Sequence, residues 1–256
     1  MYLEKYNLEG KTVVINGGAR NIGFACAEAF SECGATVALT DINPTVKDSA
    51  ETLKKYGKSC SWHIVDLTDY KQVDETAKEI ISIHKNIDIV VNNAGIARCT
   101  PAEEISDTEW LEVMDINVNS MYWCCRSFGK IMLKQSGGSI VNVGSMSGII
   151  SNKPQQQVHY NASKAAVHMA TKSLAGEWAT KGIRVNAVAP TYIDTDMTPI
   201  STTNKEWLKI WLDMTPMKRV GECDEIASAV LFLGSNASSL ITGSILVVDA
   251  GYTIWW

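Results

Sequence analysis

Seven short runs rich in β-branched residues punctuate the chain: Thr12 to Asn16, Ala35 to Thr40, Ser61 to Val65, Ile87 to Asn92, Ser139 to Val143, Ile183 to Val188, and Ser244 to Val248. Several are apolar along their whole length instead of alternating, which demands burial on both faces. Segments of helical length lie between them: Ile22 to Cys33, Thr45 to Tyr56, Tyr70 to His84, Asp107 to Gln135, Val158 to Thr180, and Glu222 to Leu233. Alternation of this kind predicts a doubly wound α/β fold, a seven-stranded parallel sheet covered by helices on both faces, with ligands at the carboxyl ends of the strands. No repeat or linker divides residues 1–256, so the reading is one domain. The stretch at about 191–220 breaks the alternation and carries Met197, Trp207, Trp211, Met214 and Met217. It reads as a lid over the strand ends, or equally as a packed surface helix or subunit contact.

Charge and cysteine content narrow the function. The net charge is −5 and no basic run is present, so nucleic acid and anionic membrane surfaces are poor partners and a small-molecule substrate is favoured. The seven cysteines are odd in number and form no C-x-x-C pair, which points to reduced, space-filling thiols and no metal site. Met1 to Gly10 is charged and no apolar run reaches transmembrane length, so the expectation is a soluble cytoplasmic protein.

Two chemical features stand at strand ends. After the first strand, Asn16-Gly17-Gly18-Ala19-Arg20-Asn21-Ile22-Gly23 opens directly into a helix, where glycine lets the backbone approach a pyrophosphate resting on unpaired helix amides. Asp41 closes the second strand twenty-four residues after Gly17, placed to accept the ribose hydroxyls of an adenosine and to repel a 2′-phosphate. Arg20 pulls the other way, since its guanidinium can pair with that phosphate, or point to solvent or the pyrophosphate. The balance favours NAD(H) over NADP(H). The second feature is Tyr160-Asn161-Ala162-Ser163-Lys164, fifteen positions after Ser145. On a helix, Tyr160 and Lys164 share one face. At an effective dielectric of about 20, an ammonium roughly 5 Å away is worth about 3 kcal/mol, around two pKa units off a phenol.

With these motifs in order, the chain resembles the short-chain dehydrogenase/reductase family nearly end to end, which implies a single-domain Rossmann fold. Gly17 and Gly23 match the glycine loop, with Asn16 in place of its threonine and Asn21 in place of its middle glycine. Asparagine tolerates left-handed backbone angles better than most residues. The resemblance implies an adenine contact at Asp66 and Leu67, a sheet-centre turn at Asn93, Ala94 and Gly95 beside the adenosine, and a carboxamide and phosphate contact at Pro190, Ile193 and Thr195, with Thr191 replacing a glycine. The cofactor set is therefore Gly17, Arg20, Asn21, Ile22, Gly23, Asp41, Asp66, Leu67, Asn93, Ala94, Gly95, Tyr160, Lys164, Pro190, Ile193 and Thr195. The catalytic set is Asn117, Ser145, Tyr160 and Lys164. Ser145 would hold the substrate oxygen and Tyr160 exchange its proton. Lys164 would bind the nicotinamide ribose, and Asn117 would support a water path.

Within the family, the glycine loop, Gly144-Ser145-Met146-Ser147-Gly148, the Trp207-to-Met217 segment and the aromatic carboxyl end resemble the sugar-alcohol (galactitol- and sorbitol-type) dehydrogenases. That implies an oxidoreductase interconverting a polyol and its ketose. Ser145, Tyr160, Ser147 and Asn152 are the substrate-binding candidates, with Gln157 and His159 nearby; Ser147 and Asn152 also read as turn residues and His159 as a helix-start residue. His63, His84 and His168 show no pairing in the sequence and read as structural. Trp255-Trp256 is too apolar for a free tail and suggests a homo-oligomer, tetramer or dimer. Rival readings are a 3-oxoacyl-thioester reductase of the same family and a non-catalytic nucleotide sensor.

Overall fold

A computed structural model describes residues 1–57, 60–135 and 137–255. The strands are β1 (Thr12–Asn16), β2 (Thr36–Asp41), β3 (Cys60–Ile64), β4 (Ile89–Asn92), β5 (Gly138–Val143), β6 (Ile183–Pro190) and β7 (Ile245–Val248). They form one parallel sheet in the order β3-β2-β1-β4-β5-β6-β7. The chain winds outward from β1 in one direction and from β4 in the other. A crevice therefore opens at the carboxyl ends of β1 and β4, the switch point where such sheets bind ligands. Seven expected strands are seven observed strands, displaced by no more than two residues at either end.

The helices are α1 (Asn21–Glu32), α2 (Val46–Leu53), α3 (Tyr70–His84), α4 (Asp107–Met114), α5 (Ser120–Gln135), α6 (Val158–Trp178), α7 (Lys205–Met214) and α8 (Cys223–Gly234). Continuous apolar strands are explained by two cores. Val13, Ile15 and Leu39 face one side with Phe30, Ile226, Val230 and Leu233, while Val14, Ala38 and Val90 face the other with Val73, Ile80, Phe128, Met132 and Leu174. Each such side chain taken fully out of water contributes about 1.5–3 kcal/mol. The cysteines are free thiols, with Cys26, Cys124 and Cys125 buried. Among the described residues no helix is long and apolar enough to cross a membrane.

One local feature departs from the sequence expectation. The single helix expected over 107–135 is divided by a π-turn, Asp115–Asn119, which widens the backbone at Asn117. The stretch at 191–220 carries α7, capped by Asn204, whose side chain accepts from Glu206 N and Trp207 N. Trp256 lies outside the described residues; Ile254 and Trp255 are exposed.

The carboxyl ends of the central strands are tied by a buried chain of side-chain hydrogen bonds. Thr40 Oγ1 donates to Asn16 Oδ1 (2.8 Å), Asn16 Nδ2 to Asn92 Oδ1 (2.8 Å), Asn92 Nδ2 to Asn142 Oδ1 (2.8 Å) and Asn142 Nδ2 to Thr171 Oγ1 (2.9 Å), and Thr171 Oγ1 donates to Val167 O (2.8 Å). Every donor points the same way, from β2 through β1, β4 and β5 to α6, so each bond polarises the next. Sheet register makes the ladder possible, because Thr40, Asn16, Asn92 and Asn142 are directly paired neighbours. All five side chains are at most 5% exposed, so removing one strands two polar neighbours away from water. Asn92→Leu is expected to cost about 2–4 kcal/mol by leaving Asn16 Nδ2 unpaired and Asn142 Oδ1 with only the weak Cys125 thiol donor. Thermal denaturation of the variant checks this; a melting temperature equal to the parent's would mean the ladder carries no net stability.

Candidate active site

The glycine loop owes its shape to close backbone approach. Gly17 has φ +80°, and a Cβ there would lie 2.7 Å from Ala94 N, while a Cβ on Gly23 would lie 2.0 Å from Gly17 O. Asn21 supplies the left-handed step, φ +52°, that the sequence assigned to it in place of glycine. The adjoining turn is locked to the loop: Asn93 N and Ala94 N donate to Asn16 O, and Asn93 Nδ2 donates to Gly17 O at 2.7 Å. α1 begins at Arg20 and Asn21 with no side chain capping its first amides. Those amides are free for an anion, and the dipole favours one there. A dinucleotide's pyrophosphate fits this cradle.

Asp41 is held at the rim, its Oδ2 accepting from Ala19 N (3.0 Å) and its Oδ1 from Asn43 N (2.9 Å). The carboxylate is thereby fixed beside the loop. Arg20 turns elsewhere. Its Nη1 lies 3.0 Å from Asp196 Oδ2, which Asn21 Nδ2 also reaches at 3.3 Å, so the Arg20 charge is matched by an acid of the 191–222 segment. Asp66 opens a turn after β3, its Oδ1 accepting from Thr68 N and Thr68 Oγ1, and Leu67 joins the core.

Further along the crevice, Ser145, Tyr160 and Lys164 border one cavity of about 110 Å³ together with Ile22, Asn93, Gly95, Pro190, Thr191, Tyr192, Ile193 and Thr195. Ser145 leaves β5 in an extended conformation, and its Oγ accepts from Ser147 N at 3.1 Å. Its own proton is not used in that bond and faces Tyr160, where a further acceptor in the cavity can take it. Lys164 Nζ donates to Val143 O (3.0 Å) and stands 5.7 Å from the Tyr160 ring centroid. The π-turn carries Asn117 inward: Oδ1 accepts from Ile96 N (2.8 Å), and Nδ2 donates to Ile96 O (2.9 Å) and Ser163 Oγ (3.0 Å). A Cβ on Gly95 would meet Asn117 Oδ1 at 3.1 Å and Lys164 Nζ at 3.4 Å, so these three residues converge.

The electrostatics differ from the sequence expectation in one respect. Burial pushes the Tyr160 phenol up, opposed by its hydrogen bond to Ser145 and reinforced by Tyr192 and Cys99. Burial sets the direction, with no contribution from Lys164; that ammonium is itself lowered to about 8 by burial, and one of its donors is spent on Val143 O.

Ser147 and Asn152 are brought near but do not border the cavity. Asn152 Nδ2 donates to Tyr192 Oη (3.2 Å) and its Oδ1 accepts from Gln157 Nε2 (3.2 Å), and Gln157 also reaches Ser147 Oγ and Asn161 Oδ1. They stand behind the wall. His159 is a buried residue of the first turn of α6, its Nε2 2.9 Å from Glu109 Oε1. His63 and His84 do have partners, both meeting Ser61 Oγ, with Glu79 at 3.3 Å from His63 Nδ1. Sequence reasoning missed His168, whose Nε2 accepts from Ser145 N at 3.4 Å. Its signal was present, since His168 continues the four-residue spacing of Tyr160 and Lys164 along one helix face. Tyr192 and Gln155 were also missed as site residues.

Comparison with known proteins adds independent findings. The family profile described as "Enoyl-(Acyl carrier protein) reductase" matches residues 17–253. The chain is 48% identical over 255 residues to a galactitol 2-dehydrogenase of Rhizobium johnstonii, covering 99% of each chain. It is 40% identical over 248 residues to a 3-oxoacyl-acyl-carrier-protein reductase of Chlamydia muridarum, covering 95% of this chain and 98% of that one. A crystal structure of a short-chain type dehydrogenase/reductase from Mycobacterium marinum superposes with a TM-score of 0.95 at 34% identity, covering 99% of both chains. A gluconate 5-dehydrogenase of Burkholderia cenocepacia, solved in complex with NADP and tartrate, gives a TM-score of 0.94 at 29% identity, again covering 99% of both.

Burial, then the charges of Lys164 and Lys172, push the His168 imidazole from an ordinary 6.5 down to about 4. Between those values the unfolded chain binds a proton that the folded chain refuses, so the contribution is present above about pH 6.5 and is lost as pH falls towards 4. His168→Gln keeps an acceptor for Ser145 N and removes the titration. Its loss of denaturation midpoint between pH 7 and pH 5 is expected to be smaller than the parent's; equal losses would show that His168 does not set the acid slope.

Proposed function

The chain belongs to the short-chain dehydrogenase/reductase family and is an oxidoreductase, and from that premise we propose that it interconverts a secondary alcohol of a sugar alcohol and the corresponding ketose, using NAD(H). The observation that carries the reading is the convergence of Ser145, Tyr160 and Lys164 on one cavity that adjoins the glycine cradle. A nicotinamide nucleotide, when bound, supplies the hydride acceptor or donor. The chain's own residues do the rest. Ser145 donates its proton to the substrate oxygen and orients the carbinol. In the oxidation direction the proton of the substrate hydroxyl passes to Tyr160 Oη, and in reduction it returns from there. Lys164 has two donors beyond the one on Val143 O, enough to hold the ribose hydroxyls while its charge favours the phenolate. Asn117 has both ends of its amide committed to Ile96 and Ser163, so it holds the wall of the proton path instead of moving a proton itself.

NAD(H) is favoured over NADP(H) by the fixed carboxylate of Asp41 and by the engagement of Arg20 with Asp196, which draws that cation away from a 2′-phosphate. The polyol class is supported by the likeness to the galactitol 2-dehydrogenase. The likeness to a 3-oxoacyl-thioester reductase favours a second reading, which a substrate panel separates. A homo-oligomer belongs to the same proposal, with exposed Leu240, Ile254 and Trp255 as apolar surface to cover.

Tyr160→Phe should lower turnover at least about 100-fold while NADH binding, followed by nucleotide fluorescence, stays within a few-fold of the parent, because only the proton exchanger is removed. Substantial residual turnover would refute that role. Asp41→Ala should raise the use of NADP relative to NAD in a competition assay. An unchanged ratio would overturn the assignment of the adenosine rim.

A further inference from the structure

We propose that the ring of Tyr192 is the surface on which the substrate's carbon chain lies, and that Gln155 and Trp211 fix specificity by holding that ring at one angle. The class of ligand rests on the polyol reading above; the geometry does not. Tyr192 borders the cavity with Ser145 and Tyr160, yet its hydroxyl is turned away from it. That oxygen accepts from Gln155 Nε2 at 2.9 Å and from Asn152 Nδ2 at 3.2 Å, and neither amide borders the cavity. What Tyr192 offers a ligand is therefore carbon. The ring is stacked on Trp211 with centroids 3.9 Å apart and planes 9° from parallel, and it meets the edge of Tyr252 at 5.6 Å.

Gln155 closes the arrangement. Its Oε1 accepts from Trp211 Nε1 at 3.1 Å while its Nε2 donates to Tyr192, so one amide ties the ring of the strand-end loop to the indole of α7. Gln155 and Trp211 are 5% and 4% exposed, which makes the clamp dry and stiff. A polyol suits this wall because each carbon has an apolar C–H side that lies against an aromatic face and a hydroxyl side that must find partners elsewhere. Ser145 and Tyr160 are such partners. Thr191 Oγ1, buried and without a hydrogen-bond partner among the described residues, belongs to another residue of the same cavity and marks an unsatisfied polar position beside the platform. A ring held at one angle fixes which carbinol of the chain reaches Tyr160. Sliding by one carbon can present the opposite configuration.

The test uses the full chain with NAD on galactitol, sorbitol and the short alcohol 2-butanol, and with NADH on ketohexoses, 2-butanone and a 3-oxoacyl thioester in the reverse direction. Tyr192→Leu should raise KM for a hexitol at least about tenfold while kcat and the KM for 2-butanol change less than about threefold, the mark of lost ground-state binding remote from the reacting carbon. Tyr192→Phe keeps the ring and should hold the hexitol KM within about threefold of the parent, while it loses discrimination as Gln155→Leu does because it removes the same hydrogen bond. Gln155→Leu frees both rings and should reduce the galactitol-to-sorbitol discrimination at least about fivefold with NADH affinity unchanged. Thermal melts confirm that each variant is folded. An unchanged hexitol KM in Tyr192→Leu, or a Tyr192→Phe defect as large as that of Tyr192→Leu, would overturn the platform. If the parent turns over the thioester and no polyol, the function proposed above fails, and the same KM ratios on the thioester against 2-butanone then score the platform separately.

Discussion

The site depends on one buried line of hydrogen bonds, running from Thr40 through Asn16, Asn92 and Asn142 to Thr171. A parallel sheet held only by apolar contacts on two faces has its register set by backbone pairing, and its carboxyl ends are where pairing stops. The ladder sits at those ends. Asn16 is followed by the glycine loop, Asn92 by the Asn93–Gly95 turn, and Asn142 lies three residues before Ser145. Fixing three amides side by side therefore fixes the glycine loop and Ser145 relative to each other. Thr171 extends the constraint to α6, which carries Tyr160, Lys164 and His168.

The same frame explains why burial, not charge, dominates the titration of the reacting groups. Tyr160, Lys164 and His168 lie on one face of α6 pressed against β5 and β6, and each is moved towards its neutral form. For His168 that is useful, because a neutral ring accepts the Ser145 amide instead of repelling Lys164. For the Tyr160 and Lys164 pair it means that the phenolate must be stabilised by what fills the cavity as well as by the ammonium. The 3 Å bond from Lys164 to Val143 O keeps the ammonium in place while leaving donors for a second partner.

Much of this was legible in the sequence, and the reasons are specific. Fully apolar runs such as Thr12 to Asn16 and Ile183 to Val188 encode two-sided burial directly, so strand number and sheet type follow from them. Gly17, Asn21 and Gly23 are readable because backbone angles and close approach restrict residue type. The asparagine ladder was not legible: three asparagines at strand ends look like turn residues until register sets them side by side. The π-turn at Asn117 was hidden because a widened turn leaves hydrophobic spacing nearly unchanged over so short a span. Arg20 was ambiguous because its partner, Asp196, lies 176 residues away, and the roles of Ser147 and Asn152 depended on where Tyr192 turned its hydroxyl.

Among the contacts that tie the segment over the strand ends to the body, those on its two sides differ in strength. On the nucleotide side the tie is Arg20 with Asp196, both about 60% exposed. An exposed pair of this kind contributes at most about 1 kcal/mol and weakens further with salt. On the substrate side the tie is a stacked pair of rings with a shared amide, all buried or half-buried, where lost packing and stranded polar atoms would add. The tie beside the glycine loop is therefore the weaker of the two, and the stacked rings on Gln155 hold α7 the more firmly.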